Sequence, residues 1–153
     1  MIKQILLTAT VVLANFATAQ VTSMINDKNV DASTKVYGMA PLSDETKTYE
    51  KFNFMLENAA AIQLGKPILE YGYQSSTFQA QENGVMIYMV KDKKIVDQWL
   101  VNPALYNVFH DGIPYSFDAD KLAVLADKYP LIYKEEKRQY KTEKEYQLSL
   151  IHI

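Results

Sequence analysis

Hydrophobic and polar positions divide the chain into blocks of different period. Ile5 to Phe16 is a mostly apolar run preceded by one charge, Lys3, and followed by Ala17-Thr18-Ala19. A charged start, a short apolar stretch and a small-x-small site are the parts a signal peptidase reads. The run is shorter than the roughly 20 residues that span a bilayer. Residues 1–19 are therefore expected to be a bacterial-type signal peptide, cleaved before Gln20. Residues 20–42 are polar and without period, which reads as a linker with at most a short strand at Val36-Tyr37.

A helical period follows. Ser43 is a candidate N-cap with Asp44 and Glu45 in the first turn. Phe52, Met55, Leu56, Ala59 and Ile62 fall on one stripe, and Gly65 and Pro67 are expected to stop the helix. The pattern then changes to strands. Asn83-Gly84 is a hairpin dipeptide because a type I′ turn needs positive φ at both positions. Pairing across it sets Phe78 opposite Met89 and Ala80 opposite Ile87. Val85 to Val90 turns at Asp92-Lys93 into Ile95 to Val101, in a register left open because both faces are apolar. Asp111-Gly112 predicts a further hairpin, with Val108 opposite Tyr115, Asn107 opposite Ser116 and His110 opposite Ile113. Pro114 places that hairpin at an edge, since proline cannot donate to a ladder.

Asp118 is expected to cap a short helix with Leu122, Leu125, Ala126 and Tyr129 on one side, ended by Pro130. Leu131 to Tyr140 reads as a charged edge strand. Thr142 and Glu145 form a capping box opening another helix. The expected fold class is α+β. An N-terminal helix packs on an antiparallel β-meander, followed by a short helix and an edge strand, all in one domain over residues 43–147. The order resembles cystatin-like rolls at the level of fold alone, which implies no function. Leu148 to Ile153 match the translation of a transposon-end sequencing adaptor. The natural chain is therefore expected to continue past Gln147.

Composition changes this picture in three ways. With no cysteine, a disulfide scaffold, a thiol nucleophile and cysteine-ligated metal are excluded. A formal net charge of −2 supplies no field for nucleic acid or an anionic membrane. Five positive and four negative side chains between Lys134 and Glu145 alternate as a solvated face rather than a phosphate track. Eleven tyrosines and one tryptophan offer apolar faces with polar tips, which suit recognition of proteins or glycans as well as core filling.

Candidate chemistry is sparse. His110 beside Asp111 is the one imidazole-type general base, with Ser75 and Ser76 available elsewhere as hydroxyls. A catalytic triad is defined by geometry, and spacing alone supplies none. His110, Asp111, Asp118 and Asp120 resemble a mixed ligand set, but the hairpin register separates His110 from Asp118 by five strand residues, roughly 17 Å. No metal and no cofactor are expected. Glu135 and Glu136 are strand neighbours and point to opposite faces. Trp99, Tyr106 and Tyr115 are the candidate binding residues. The expected function is an exported, non-enzymatic binding module, periplasmic or extracellular, that engages a protein or a surface polymer. The alternative is a small secreted hydrolase using His110 and Asp111. No nucleic-acid partner is expected, nor a membrane span after processing.

Overall fold

The structure, a computed structural model, describes residues 21–41, 51–74 and 84–131, together with Leu148. The fold is sheet-rich α+β. Its elements are β1 (Thr22–Ser23), a 3-10 turn (Asp27–Asn29), β2 (Lys35–Met39), β3 (Phe54–Leu56), α1 (Ala59–Ile68) and β4 (Glu70–Tyr71), then β5 (Val85–Lys91), β6 (Lys94–Asn102), β7 (Asn107–His110), β8 (Ile113–Ser116) and α2 (Lys121–Lys128). Six strands make one antiparallel sheet in the order β3-β2-β5-β6-β7-β8, and β1 pairs β4 separately.

Two tight turns form as their residues require. Asp92 (φ 49°) and Lys93 (φ 63°) join β5 to β6, and Asp111 (φ 50°) and Gly112 (φ 78°) join β7 to β8. Both are two-residue loops with positive φ throughout, which matches the right-handed twist of the flanking strands. Val108 opposes Tyr115, Asn107 opposes Ser116 and His110 opposes Ile113, as the sequence predicts. Strand β8 ends the sheet, where Pro114 is tolerated. Its outer side is partly covered: Gly72 N–H donates to Ser116 O (2.8 Å) and Ser116 N–H donates to Tyr73 O (2.8 Å). At the opposite edge Met55 N–H donates to Tyr129 O (2.9 Å), so β3 is covered as well.

Three expectations are corrected. The apolar stripe expected as one helix is split. Phe52 lies in a 3-10 turn, and Met55 and Leu56 lie on opposite faces of β3. Ala59 is exposed, and of the stripe only Ile62 is a buried helical residue. The helix begins later because Asn58 caps it, its Oδ1 accepting from Ala61 N–H at 2.9 Å. Three strands precede α1, so no helix leads the described domain. Gly65 and Pro67 lie inside its last turns. Gly65 marks a close approach, since a Cβ there would stand 2.5 Å from Leu56 Cδ1. The second correction concerns β5, whose two edges are taken by β2 and β6. Met89 therefore opposes Val36 and Ile87 opposes Gly38, not Phe78 and Ala80, which lie outside the described residues. The 20–42 segment thus contributes an interior strand and, outside it, the core residues Met24, Ile25 and Ala40. Third, Asp118 caps the turn leading into α2 and not α2 itself: its Oδ1 accepts from Asp120 N–H at 3.1 Å, and Asp120 occupies the cap position.

The core explains why the β5–β6 register is not readable from alternation. One sheet face buries Val36, Phe54, Leu56, Ile87, Trp99, Val101 and Val108 against Ile62 of α1 and Leu122 and Leu125 of α2. The other buries Tyr37, Met39, Tyr88 and Val90, with Met55, Ile95 and Leu131 packed on them. Both faces of β5 are apolar, so period-2 patterning carries no signal there. Leu148, the first residue of the adaptor-like tail, packs on this second cluster. The signal peptide, Ser75 and Ser76, the 132–147 region and residues 149–153 lie outside the described residues. No helix among the described residues is long and apolar enough to cross a membrane.

The loop before β2 is held by Asp31. Its Oδ1 accepts from Ser33 Oγ (2.7 Å) and Ser33 N–H (2.8 Å), and its Oδ2 lies 3.2 Å from Lys91 Nζ. The Ser33 hydroxyl first, then the Ser33 amide, lowers this carboxyl to about 2, with Lys91 adding to both. A depressed carboxyl stabilises the fold fully above its unfolded value near 3.8, and that contribution fades as pH falls toward 2. Carboxyl-carbon NMR should place the Asp31 midpoint near 2, and Ser33→Ala should move it upward. A midpoint unchanged by Ser33→Ala would mean that the hydroxyl is not the cause.

Candidate functional site

Strands β6 and β7 bring the site together. Leu100 opposes Phe109, so one step further along the ladder Trp99 faces His110. Their rings stack, with centroids 3.7 Å apart and planes within 9°. Asp97 sits two residues before Trp99 on the same face. Its Oδ1 lies 2.6 Å from His110 Nε2 and also accepts from Gln98 N–H at 2.8 Å. The imidazole is thus fixed on one ring face by Trp99 and at one nitrogen by Asp97. A carboxylate at Nε2 holds that nitrogen as the donor and leaves Nδ1 for other partners. Asp111 is not the partner the sequence suggests. Its carboxylate stands 3.8 Å from Nδ1, beyond hydrogen-bond reach, and its side chain is 88% exposed in the turn.

An aromatic row extends the site. Tyr71 of β4 lies 5.0 Å from Trp99 and 4.7 Å from Tyr115, tilted to both. Burial raises the Tyr71 phenol above its ordinary value, with Tyr115 and Asp97 adding and a Thr22 hydrogen bond opposing. The phenol therefore stays a neutral donor at ordinary pH. Trp99 is 5% exposed, and its indole N–H has no hydrogen-bond partner among the described residues.

Tyr71, Asp97, Trp99 and His110 wall an open groove of about 640 Å³, whose other side is the 21–29 segment and Lys66. That segment is pinned to α1. Ser23 Oγ donates to Lys66 O (2.7 Å), Met24 N–H donates to Leu69 O (2.8 Å), and the Lys66 ammonium pairs with Asp27. A second groove of about 370 Å³ is lined by Glu70, Tyr106, Ser116, Asp118 and Lys121. Val21 and Tyr71 line both.

The sequence-level candidates therefore separate. His110 and Trp99 meet in the first groove, Trp99 as a buried wall and not an exposed platform. Tyr115 is half-buried against Tyr71. Tyr106 is 59% exposed at the second groove. Asp118 lines the second groove and His110 the first, so the ligand set of His110, Asp111, Asp118 and Asp120 is not assembled. Among the described residues no three His, Asp or Glu side chains come together as metal ligands. Sequence reasoning missed Asp97 and Tyr71. Asp97 carries a visible signal, as the one charged residue in the run Ile95 to Val101. Tyr71 carries none, because β4 is two residues long.

The chain matches no protein-family model, no curated protein and no solved structure. Trp99 is the sole tryptophan, so its fluorescence reports on this site alone. A stacked imidazole quenches indole emission by excited-state transfer. His110→Ala should brighten Trp99 emission, and emission unchanged in that variant would mean that the stack is absent in solution.

Proposed function

We propose that this chain is an exported, non-catalytic binding module whose recognition site is the groove walled by His110, Asp97, Trp99 and Tyr71. The observation that carries this reading is the doubly fixed imidazole. His110 is held by Asp97 at 2.6 Å and stacked on Trp99, in the wall of a concave groove. A polar group whose rotamer is locked at a groove wall costs little ordering when a ligand arrives. The volume falls in the range of roughly 300–1,000 Å³ typical of small-ligand sites. Export rests on Lys3, the apolar run and Ala17-Thr18-Ala19. A partner presented outside the cytoplasm, a protein or a surface polymer, follows from that destination.

One observation favours a second reading. A carboxylate-oriented histidine beside a groove is also how a hydrolase holds its general base. In that reading Asp97 replaces Asp111 as the orienting acid and Nδ1 takes the proton. Two experiments separate the readings. Amide and indole NMR shifts with a library of small polar fragments should cluster on Asn26, Lys66, Trp99 and His110; shifts scattered over the surface would remove the binding reading. A panel of chromogenic esters and glycosides should show no His110-dependent turnover. Turnover that falls more than about tenfold in His110→Ala, which is ~1.4 kcal/mol of transition-state stabilisation, would put the hydrolase first.

A further inference from the structure

The two grooves are neighbours, since Val21 and Tyr71 line both. From this geometry we infer that they are the two lobes of a site for an uncharged oligosaccharide segment, with His110 and Trp99 serving one lobe and Tyr106 the other. The inference rests on the binding reading above and deepens it by naming the ligand class.

Charge excludes the first competitor. Asp27, Asp97, Glu70 and Asp118 stand in the lining against Lys28, Lys66 and Lys121, and Lys66 is already paired with Asp27. A polyanion needs a net positive track, and this lining provides none. Backbone pairing excludes the second. An extended peptide gains affinity by adding a strand to a free sheet edge. Beside the second groove the outer N–H and C=O of Ser116 on β8 are already taken by Tyr73 and Gly72.

The lining fits hydroxyl groups instead. A sugar hydroxyl both donates and accepts. It meets the carboxylates of Asp97 and Glu70, the amides of Asn26 and Asn29, and the hydroxyls of Thr22 and Ser116. The C–H faces of a sugar ring rest on tyrosine rings, whose polar tips remain wet.

Tyr106 supplies an independent observation. Its φ is +50°, a conformation that bulky residues rarely adopt, and its carbonyl is held by Phe117 N–H at 2.9 Å. The short loop between β6 and β7 sets this conformation and leaves the ring 59% exposed at the second lobe. Nothing in the packing of the core requires a tyrosine there.

The test titrates the purified protein, read by Trp99 emission, with cellohexaose, chitohexaose and maltohexaose, with their disaccharides, and with heparin and an unstructured peptide as competitors. At least one hexasaccharide should give a saturable change, at an affinity about tenfold or more above its disaccharide, because only the longer chain reaches both lobes. Tyr106→Asn removes the ring while suiting the positive φ, so the fold is kept. It should weaken the hexasaccharide about fivefold or more, the loss expected for an aromatic anchor. The inference is overturned if none of the three hexasaccharides binds at millimolar concentration, if heparin or the peptide binds in their place, or if Tyr106→Asn leaves hexasaccharide affinity unaltered. Fragment shifts that cluster at His110 while no hexasaccharide binds would sink the ligand class alone. Scattered fragment shifts would sink the binding reading with it.

Discussion

Phe54→Ala should destabilise the fold by about 3–5 kcal/mol, the range for truncating a fully buried phenylalanine. Phe54 is 0% exposed and stands opposite Gly38 in the β2–β3 pair. Its ring covers that glycine so closely that a Cβ on Gly38 would lie 2.2 Å from Phe54 Cε1. The β3 strand is three residues long and bridges to Pro130 on its other side. Little of the surroundings can therefore collapse into the cavity. The same contact makes a second, sharper expectation. Gly38→Ala should be destabilising in the wild-type background, because the new methyl group meets the ring. In the Phe54→Ala background the clash is gone, and the substitution should be tolerated. The cycle should show a coupling of about 0.5–3 kcal/mol, measured as shifts in urea midpoint at constant slope. A cost for Phe54→Ala below about 1 kcal/mol, or additive effects in the double variant, would mean that the ring does not lie on Gly38.

Trp99→Ala should cost a similar amount, about 3–5 kcal/mol, since the indole is almost wholly buried between the sheet and Tyr71. It differs from Phe54→Ala in what it does to the site. Removing the indole takes away the stacked face of His110 and the ring against which Tyr71 rests. The imidazole should then lose its single orientation, visible as broadened or shifted His110 ring resonances. Trp99→Phe keeps an apolar ring at the wall and should recover most of the stability. Circular dichroism melts of both variants check the first part, and histidine-selective NMR the second. A Trp99→Ala protein as stable as wild type, or one with His110 resonances unmoved, would show that the stack neither packs the core nor orients the histidine.

How much of this was legible in the sequence differs by element. The turns at Asp92-Lys93 and Asp111-Gly112 were readable because short loops demand positive φ at named positions. The register of β7 on β8 followed from the second of them without further information. The stripe Leu122, Leu125 and Ala126 was readable from helical spacing, and all three are buried. The helix expected through Phe52 and Leu56 does not form, and Leu56 lies in β3 instead. A short apolar run fits a strand and a buried helix equally, and the cap that decides, Asn58, lies in its middle. The Asn83-Gly84 dipeptide pointed to the wrong partner for β5, because the edge it assigned to Phe78 and Ala80 is taken by β2, a strand distant in sequence.

Local chemistry fixed the tight turns, the proline-bearing edge strand and the α2 face, since each depends on backbone preferences of two to four neighbouring residues. Long-range burial decided the rest. The placement of β2 beside β5 joins Val36 to Met89, and no residue near either announces the other. The site depends on one further feature that alternation hides. Val90 opposes Ile95, yet Met89 opposes Asp97, so Val96 is an extra residue bulged out of β6. In a regular strand Ile95, Asp97 and Trp99 would share a face. The bulge lets Ile95 pack with Val90 on the second cluster while Asp97 and Trp99 turn to His110. A bulge forms because two packed faces compete for the same strand, and that competition exists only once both faces have something to pack against.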